Sequence, residues 1–236
     1  MIPKSKPFRF KQFSIHQEQS AMKVGTDAVI LGAYTSIQRA KSILDIGCGT
    51  ALLSLMLAQK SSAKITAIEL DEKAVEEARL NVAISPWPKQ IKVIKEDFII
   101  YAKTENNNFD LIICNPPFFR GENRKDSRTL ARQNNNLPFE KLFIGVDKLL
   151  SKEGFFWGIF PLLEKDYLFS IFKSKALFVR KILFIQGNEN TATKRFIVCL
   201  SKKEGEVVEE KLIIEKSRNV YTSECMQLLK PYLLFL

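Results

Sequence analysis

Residues 42–50 of the chain read SILDIGCGT, an apolar run that ends in two closely spaced glycines. Gly47 and Gly49 allow a tight turn from a strand into a helix, and they leave the backbone open to a ligand at the carboxyl end of a sheet. A dinucleotide fingerprint needs a third glycine near position 52, where the chain has Leu52. Asp45 places a negative group beside the turn. The stretch therefore predicts a ligand cleft that suits a cationic group better than a phosphate.

Strand and helix patterns alternate from this turn onward. The first of them are the helix TALLSLMLAQK, the strand KITAIEL, the helix DEKAVEEARLNV and the strands QIKVIKED and FDLIIC. Alternation of this kind predicts an α/β fold with a parallel, doubly wound sheet, and we expect the late runs FVRKILFI and KRFIVCL to form an antiparallel edge pair. We expect one domain over residues 1–236, with a strand and helix extension in residues 1–41 that covers the cleft and a core in residues 42–236.

Side chains that cap helices mark three of the expected helix starts. Asp71 precedes the second core helix, Thr26 or Asp27 precedes the run AVILGAY, and Thr222 or Ser223 precedes the last helix.

Composition excludes several classes of protein. The 236 residues are 46% hydrophobic, enough for a full core, and no stretch is apolar enough to span a bilayer or to serve as a signal peptide. The four cysteines form no Cys-x-x-Cys pair, and one histidine, His16, allows neither a Ser/His/Asp triad nor a histidine metal site. We therefore expect a cytoplasmic protein without a membrane segment or a metal, and we assign His16 no catalytic role.

Two further strand ends carry polar groups that suit a nucleoside. Glu69 ends the second core strand about twenty residues past the glycines, where a carboxylate can accept both hydrogen bonds from a ribose diol. Asp97 ends the third strand, and Phe98 follows it, so that a carboxylate and an aromatic ring are available for an adenine amino group and ring.

The fourth strand ends in CNPPFF, residues 114–119, where two prolines stop the strand because they lack an amide donor. Together with the glycine turn, Glu69 and Asp97, this signature resembles the class I S-adenosylmethionine-dependent methyltransferases that modify exocyclic or amide nitrogens. The resemblance implies a Rossmann-like, seven-stranded, mostly parallel sheet with helices on both faces and S-adenosyl-L-methionine as the cofactor.

The resemblance also implies roles within the signature. In that family the side-chain oxygen of Asn115 and the carbonyl of Pro116 would accept hydrogen bonds from the target amino group. The rings of Pro116 and Pro117 would fix that carbonyl, and Phe118 would stack on the base.

The segments FKQFSIHQEQSAMKVGTDAVILGAY and YTSECMQLLKPY are similar to the tRNA1(Val) adenine-37 N6-methyltransferase family. By that similarity, Lys23, Gly25 and Thr26 would belong to a segment that closes over the methionine end of the cofactor. The implied substrate is an adenine in tRNA, and we expect the protein to act as a monomer.

Charge indicates the surface that contacts RNA. The net charge is +10, which favours an anionic partner, although a basic surface also serves solubility. Planar guanidinium groups pair well with phosphates, and two basic clusters are expected near the mouth of the cleft. The clusters are Lys4, Lys6, Arg9 and Lys11 at the amino end and Arg120, Arg124, Lys125, Arg128 and Arg132 after the signature.

Four other functions remain open on sequence grounds. Protein-glutamine methyltransferases share the signature but resemble chains with a separate helical amino-terminal domain, and methyltransferases of guanine N2 in ribosomal RNA share it as well. A DNA adenine methyltransferase would be expected to carry a target-recognition domain. A module that binds RNA or cofactor without catalysis is disfavoured by the intact Asn115, Gly47, Gly49 and Glu69.

Overall fold

The computed structural model describes residues 6–20, 22–116 and 137–234. Within them, one nine-stranded sheet has the order β11-β10-β8-β9-β7-β6-β3-β4-β5, and a two-stranded ribbon pairs β1 with β2. The strands are β1 Phe8–Arg9, β2 Ser14–Ile15, β3 Ser42–Ile46, β4 Lys64–Glu69, β5 Ile91–Lys95, β6 Phe109–Cys114, β7 Leu150–Pro161, β8 Phe178–Asn188, β9 Arg195–Ser201, β10 Val208–Ser217 and β11 Val220–Tyr221. The helices are α1 Thr26–Tyr34, α2 Leu52–Ala58, α3 Glu72–Ala83, α4 Phe98–Thr104, α5 Phe139–Leu149, α6 Lys165–Ser174 and α7 Ser223–Leu229, with a 3₁₀ turn at Leu162–Glu164.

Seven of the nine strands, β3 to β9, form the expected mostly parallel sheet, and β10 and β11 extend it beyond β8. The pairs β3–β4, β3–β6, β4–β5, β6–β7 and β8–β10 are parallel.

The placement of the antiparallel pair at the edge of the sheet is wrong. Strand β9 runs antiparallel to both β7 and β8 and lies between them, while the short β11 forms that edge of the sheet. The physical reason is visible in the run from Phe196 to Leu200, where every residue is at most 3% exposed. An unbroken apolar run is typical of a strand that is buried on both faces of the sheet.

Helices cover both faces of the sheet, as expected. One core cluster joins it to α1, α2, α3 and α7 through residues such as Ile30, Leu55 and Leu229. The other is rich in phenylalanine and joins it to α4, α5 and α6, with Phe143, Phe156 and Phe172 in tilted or edge-to-face contacts.

The two ends of the described chain meet. The expected strand FRFKQFSI is a hairpin, because the amide of Phe10 bonds to the carbonyl of Phe13 and turns the chain. Phe10 also forms a bridge with Leu233, and the amide of Lys11 donates to the carbonyl of Tyr232 at 2.8 Å. The ribbon is thereby fixed to the carboxyl-terminal segment.

Two of the three predicted helix caps are confirmed. Asp71 accepts from the amide of Ala74 at the start of α3, and Thr222 caps α7. The cap of α1 is Gly25 rather than Thr26 or Asp27, and it makes no side-chain cap hydrogen bond. Asp27 instead forms an ion pair with Arg195 on β9 at 3.0 Å, which ties the start of α1 to the sheet.

In the part of the chain that the structure describes, no helix combines the length and the apolar character needed to cross a membrane. No group of three or more histidine, cysteine, aspartate or glutamate side chains is placed to hold a metal among the same residues.

Candidate active site at the carboxyl ends of the strands

The glycine turn after β3 has the conformation that its sequence predicts. Gly47 and Gly49 have φ angles of +66° and +52°, in the left-handed region that side chains disfavour. A Cβ atom built on either residue meets no atom within 4 Å. The peptide groups of the turn therefore border open space, into which a ligand can approach the backbone closely.

Glu69, at the end of the neighbouring strand β4, is hydrogen-bonded to this turn. Its Oε2 accepts from the amide of Gly49 at 2.9 Å, and its Oε1 accepts from the amides of Leu70 and Asp71 at 2.9 and 3.0 Å. A carboxylate has about four acceptor positions, so one remains for a ligand hydroxyl. The expected role toward a ribose diol stays a prediction, and the structure adds a second role in which Glu69 holds the glycine turn.

Asp45 lies beneath the turn and is wholly buried, with 0% of its surface exposed. Its Oδ2 accepts from the hydroxyl of Ser54 at 2.7 Å and from the amide of Ser54 at 3.1 Å, whereas its buried Oδ1 has no hydrogen-bond partner among the described residues. The pKa of the Asp45 carboxyl is raised to about 7, chiefly because burial disfavours its charge; the two Ser54 hydrogen bonds lower the pKa, and the charge of Glu69 adds to the rise. A cation near this group would favour the carboxylate form.

Asp97 and Phe98 have different structural roles: Asp97 caps a helix, and Phe98 packs in the core. Asp97 caps α4, since its Oδ1 accepts from the amide of Ile99 at 2.6 Å. Phe98 is 6% exposed, and its ring lies 2.5 Å from the place that a Cβ on Gly145 of α5 would occupy. The expected stacking of Phe98 on an adenine ring is not supported, because this ring fills the core between α4 and α5.

The signature begins at the strand next to the glycine turn. Ile46 and Cys114 are paired in the register of β3 and β6, so Gly47 and Asn115 leave neighbouring strands at the same edge. The side-chain oxygen of Asn115 is buried and has no hydrogen-bond partner among the described residues, and Pro116 is buried beside it. A buried acceptor without a donor is rare in native proteins and requires an explanation, of which a catalytic role is one.

The segment before α1 is joined to the glycine turn through α3. The amide of His16 donates to Oδ1 of Asn81 on α3, and Nδ2 of Asn81 donates to the carbonyls of His16 and of Thr50 in the glycine turn. Lys23, Gly25 and Thr26 follow this segment and are exposed.

Comparison with known proteins identifies the family of this chain. Residues 20–135 match the model of the methyltransferase small domain. A tRNA1(Val) (adenine(37)-N6)-methyltransferase of Bacteroides fragilis (strain YCH46) is 38% identical over 230 residues, which cover 96% of this chain and 97% of the relative. Proteins of the same name from Flavobacterium psychrophilum and Yersinia pestis are 40% and 34% identical, and each alignment covers 96% of this chain and 99% or 93% of the relative.

The chain belongs to the tRNA1(Val) (adenine(37)-N6)-methyltransferase family. The family predicted from the CNPPFF signature and the two terminal segments is thereby confirmed.

Solved structures confirm the fold of this family member. A predicted O-methyltransferase from Agrobacterium tumefaciens superposes with a TM-score of 0.69 at 18% identity, over 87% of this chain and 96% of the other. The ribosomal protein L11 methylase of Lactobacillus delbrueckii subsp. bulgaricus superposes with a TM-score of 0.56 at 14% identity, over 75% and 77% of the two chains. The Rossmann-like class I methyltransferase fold is shared with both.

The basic residues predicted to bind tRNA are only partly within the described chain of this family member. Lys6, Arg9 and Lys11 are exposed, and Nζ of Lys11 donates to the carbonyl of Lys230 at 2.6 Å. Lys11 therefore faces the carboxyl-terminal segment, and the next carbonyl of that segment, Pro231, accepts from Gln59, which follows the end of α2 remote from the glycine turn. The remaining predicted residues lie outside the described residues: Lys4, Pro117, Phe118, Arg120, Arg124, Lys125, Arg128 and Arg132.

Three polar residues of the site were missed in the sequence analysis. Ser54, Glu77 and Asn81 are buried in helices, and their partners are 9 to 65 positions away. Glu77 and Asn81 fall on the face of α3 that also carries the buried Ala74 and Ala78. A charged or amide side chain within an apolar helix face is the signal that points to them.

Proposed function

We propose that this protein transfers a methyl group from S-adenosylmethionine to the exocyclic N6 of an adenine in tRNA, and that this adenine is residue 37 of tRNA1(Val). The observation that carries the proposal is the buried, unpartnered side-chain oxygen of Asn115 at the strand end beside the glycine turn. The names of the relatives supply the substrate.

Asn115 suits an aromatic amine as the acceptor of the methyl group. The lone pair of such an amine is delocalised into the ring, which makes the nitrogen a poor nucleophile. Two oxygens that accept its hydrogens, Oδ1 of Asn115 and the carbonyl of Pro116, would hold the amino group in one orientation and favour localisation of the lone pair. No strong base is needed, because the methylated nitrogen can lose its proton to solvent.

The chain's residues also fit the methyl donor, which when bound supplies an electrophilic methyl group on a sulfonium cation. The open space at Gly47 and Gly49 admits a ligand against the backbone, and Glu69 keeps acceptor capacity for a hydroxyl. The orphaned Oδ1 of Asp45 places a negative group beneath the same turn, where a cation is favoured.

Charge and substrate structure support tRNA as the partner. The net charge of +10 attracts a polyanion, and a base in an anticodon loop is already unpaired, so that less free energy is needed to bring it into a pocket than from a duplex. On this proposal the protein acts as a single-domain monomer in the cytoplasm, and basic residues of the amino-terminal cluster and of the cluster after the signature contact phosphates, except Lys11, whose ammonium donates to the carbonyl of Lys230.

The test compares Asn115→Ala with the parent on an unmodified tRNA1(Val) transcript and labelled S-adenosylmethionine. We expect turnover to fall about 100-fold or more, the loss typical of removing one oriented hydrogen-bonding group, while both ligands still bind. Asn106→Ala, an exposed asparagine at the opposite end of β6, is the matched control and should keep full turnover.

A transcript with guanine at position 37 completes the experiment. It should receive no methyl group, and nucleoside mass spectrometry of the parent transcript should show N6-methyladenine. Equal methylation of the guanine transcript would overturn the target base, and full turnover by Asn115→Ala would overturn the catalytic role of the signature.

A further inference from the structure

We propose that Glu77 and Asn81 of α3 are positioning residues for cofactor binding, which act by fixing the segment 16–20 as a wall of the cleft. This inference rests on the proposed function, since it concerns the site of S-adenosylmethionine. Neither residue is expected to touch the cofactor. Their contacts lie on the far side of the segment, and their effect reaches the ligand through it.

Glu77 holds three consecutive backbone amides. Its Oε1 accepts from Glu18 and Gln19 at 2.5 and 3.1 Å, and its Oε2 accepts from Ser20 at 2.9 Å. The glutamate is 5% exposed. A buried carboxylate is costly unless donors surround it, and here the donors all come from one loop, so the loop and the carboxylate stabilise each other in one arrangement.

Asn81 joins the same loop to the glycine turn. It is 0% exposed, its Oδ1 accepts from His16 at 2.8 Å, and its Nδ2 donates to His16 at 2.9 Å and to Thr50 at 3.0 Å. Both hydrogens of the amide are thus donated, one to the segment 16–20 and one to the glycine turn. This one side chain therefore joins the segment directly to the glycine turn.

The arrangement extends from the loop to α1. The side-chain oxygen of Gln17 accepts from the amide of Val24 at 2.6 Å, which sets the path of the chain toward Lys23 and Gly25. The ion pair between Asp27 and Arg195 fixes the far end of this path on β9. Lys23, Gly25 and Thr26 lie along this path and are exposed.

Buried polar atoms on the segment itself point to a ligand. Nδ1 of His16 and Oγ of Ser20 are buried and have no hydrogen-bond partner among the described residues. At these two residues Glu77 and Asn81 bond to the backbone alone, Glu77 to Ser20 and Asn81 to His16, and both side chains stay available.

The main variant is Glu77→Gln, which keeps the size of the side chain but sets an NH₂ group against amide donors. We expect hydrogen exchange of residues 16–20 to become at least about tenfold faster, while exchange in β3 and β6 stays unchanged. The dissociation constant for S-adenosylmethionine should rise about tenfold or more, with kcat at saturating cofactor within about twofold of the parent. Glu76→Gln makes the same charge change on the exposed face of α3 and should alter none of these values.

A second variant protects the test against misfolding. Gln17→Ala removes only the acceptor for Val24 from a partly exposed loop residue, and we expect about a fivefold increase in the cofactor dissociation constant with unchanged kcat.

The possible failures can be told apart. If titration calorimetry detects no binding of S-adenosylmethionine to the parent protein, the proposed function is wrong. If the parent binds but Glu77→Gln binds equally well despite faster exchange, or if exchange in residues 16–20 does not change, the positioning role is overturned and the proposed function stands.

Discussion

Replacing Asp45 by asparagine should make the protein more stable at pH 8 and weaken its binding of a cationic cofactor. In the folded state the carboxyl has a pKa of about 7, against its ordinary value of 3.8, chiefly because burial disfavours its charge. Between pH 4 and pH 7 the folded state therefore binds more protons at this site than the unfolded state. By linkage, the contribution of Asp45 to the free energy of unfolding falls as the pH rises through that window.

The size of this effect on the free energy of unfolding follows from the difference of about 3 between the pKa values of Asp45 in the folded and unfolded protein. At about 1.4 kcal/mol per unit, the ionised carboxylate costs the fold roughly 4 kcal/mol at pH 8. Asparagine keeps an oxygen for the two Ser54 hydrogen bonds but places its NH₂ group where Oδ1 has no partner, at a cost of about 1–3 kcal/mol. The net gain in Asp45→Asn is therefore roughly 1–3 kcal/mol at pH 8, and it should turn into a loss of about 1–3 kcal/mol near pH 4, where the carboxyl is protonated in the fold and only the cost of the unpartnered NH₂ group remains.

Urea denaturation of the cofactor-free proteins between pH 5 and pH 8.5 measures this difference. Titration at pH 8 with S-adenosylmethionine and with the uncharged sulfur of S-adenosylhomocysteine gives the second readout. The variant should lose affinity mainly for the cationic ligand. A stability difference that does not depend on pH, or a variant that is less stable at pH 8, would refute the reasoning.

Two further predictions concern Glu69 and Gly145. Glu69→Gln should weaken S-adenosylmethionine binding roughly 10- to 100-fold, because one amide oxygen cannot replace a carboxylate that holds Gly49 and the turn after β4. Titration calorimetry measures the affinity, and an unchanged dissociation constant would contradict this prediction. Gly145→Ala should lower the free energy of unfolding, measured in urea, by about 1–3 kcal/mol, since the added Cβ would lie 2.5 Å from the ring of Phe98. The double variant that also carries Phe98→Leu should recover part of this loss and bind the cofactor as tightly as the parent protein. Loss of cofactor affinity in the Phe98→Leu protein at unchanged stability would restore the stacking role instead.

Local chemistry explains which parts of the fold could be predicted from the sequence. The glycine turn, the end of β6 at the prolines and the cap at Asp71 depend on residues within a few positions of each other, and all three are observed. The cap of α1 was wrong because Asp27 has a distant partner, Arg195, that outweighs a local hydrogen bond to the helix start.

Long-range contacts explain what could not be predicted. The position of β9 between β7 and β8 depends on which strands it covers, and its apolar run alone is compatible with several positions in a sheet. From the sequence, Glu77 is indistinguishable from an exposed helix residue, because its partners are the distant amides of residues 18–20. The sequence is also compatible with a stacking role for Phe98, and only the packing of α5 against α4 shows that its ring fills the core.

The unsatisfied polar atoms of the described chain link fold stability to function. Seven buried side-chain atoms lack a hydrogen-bond partner among the described residues, and four of them lie around the cleft, on His16, Ser20, Asp45 and Asn115. Each such atom destabilises the free protein by about 1–3 kcal/mol, so their concentration at one edge of the sheet is difficult to explain as packing alone. A carboxylate oxygen suits a cation, and an amide oxygen suits the hydrogens of an amine. On the proposed function, the free energy lost in folding at Asp45 and Asn115 would be recovered when a sulfonium and an aromatic amine bind together, which is the pair of ligands that methyl transfer to adenine requires.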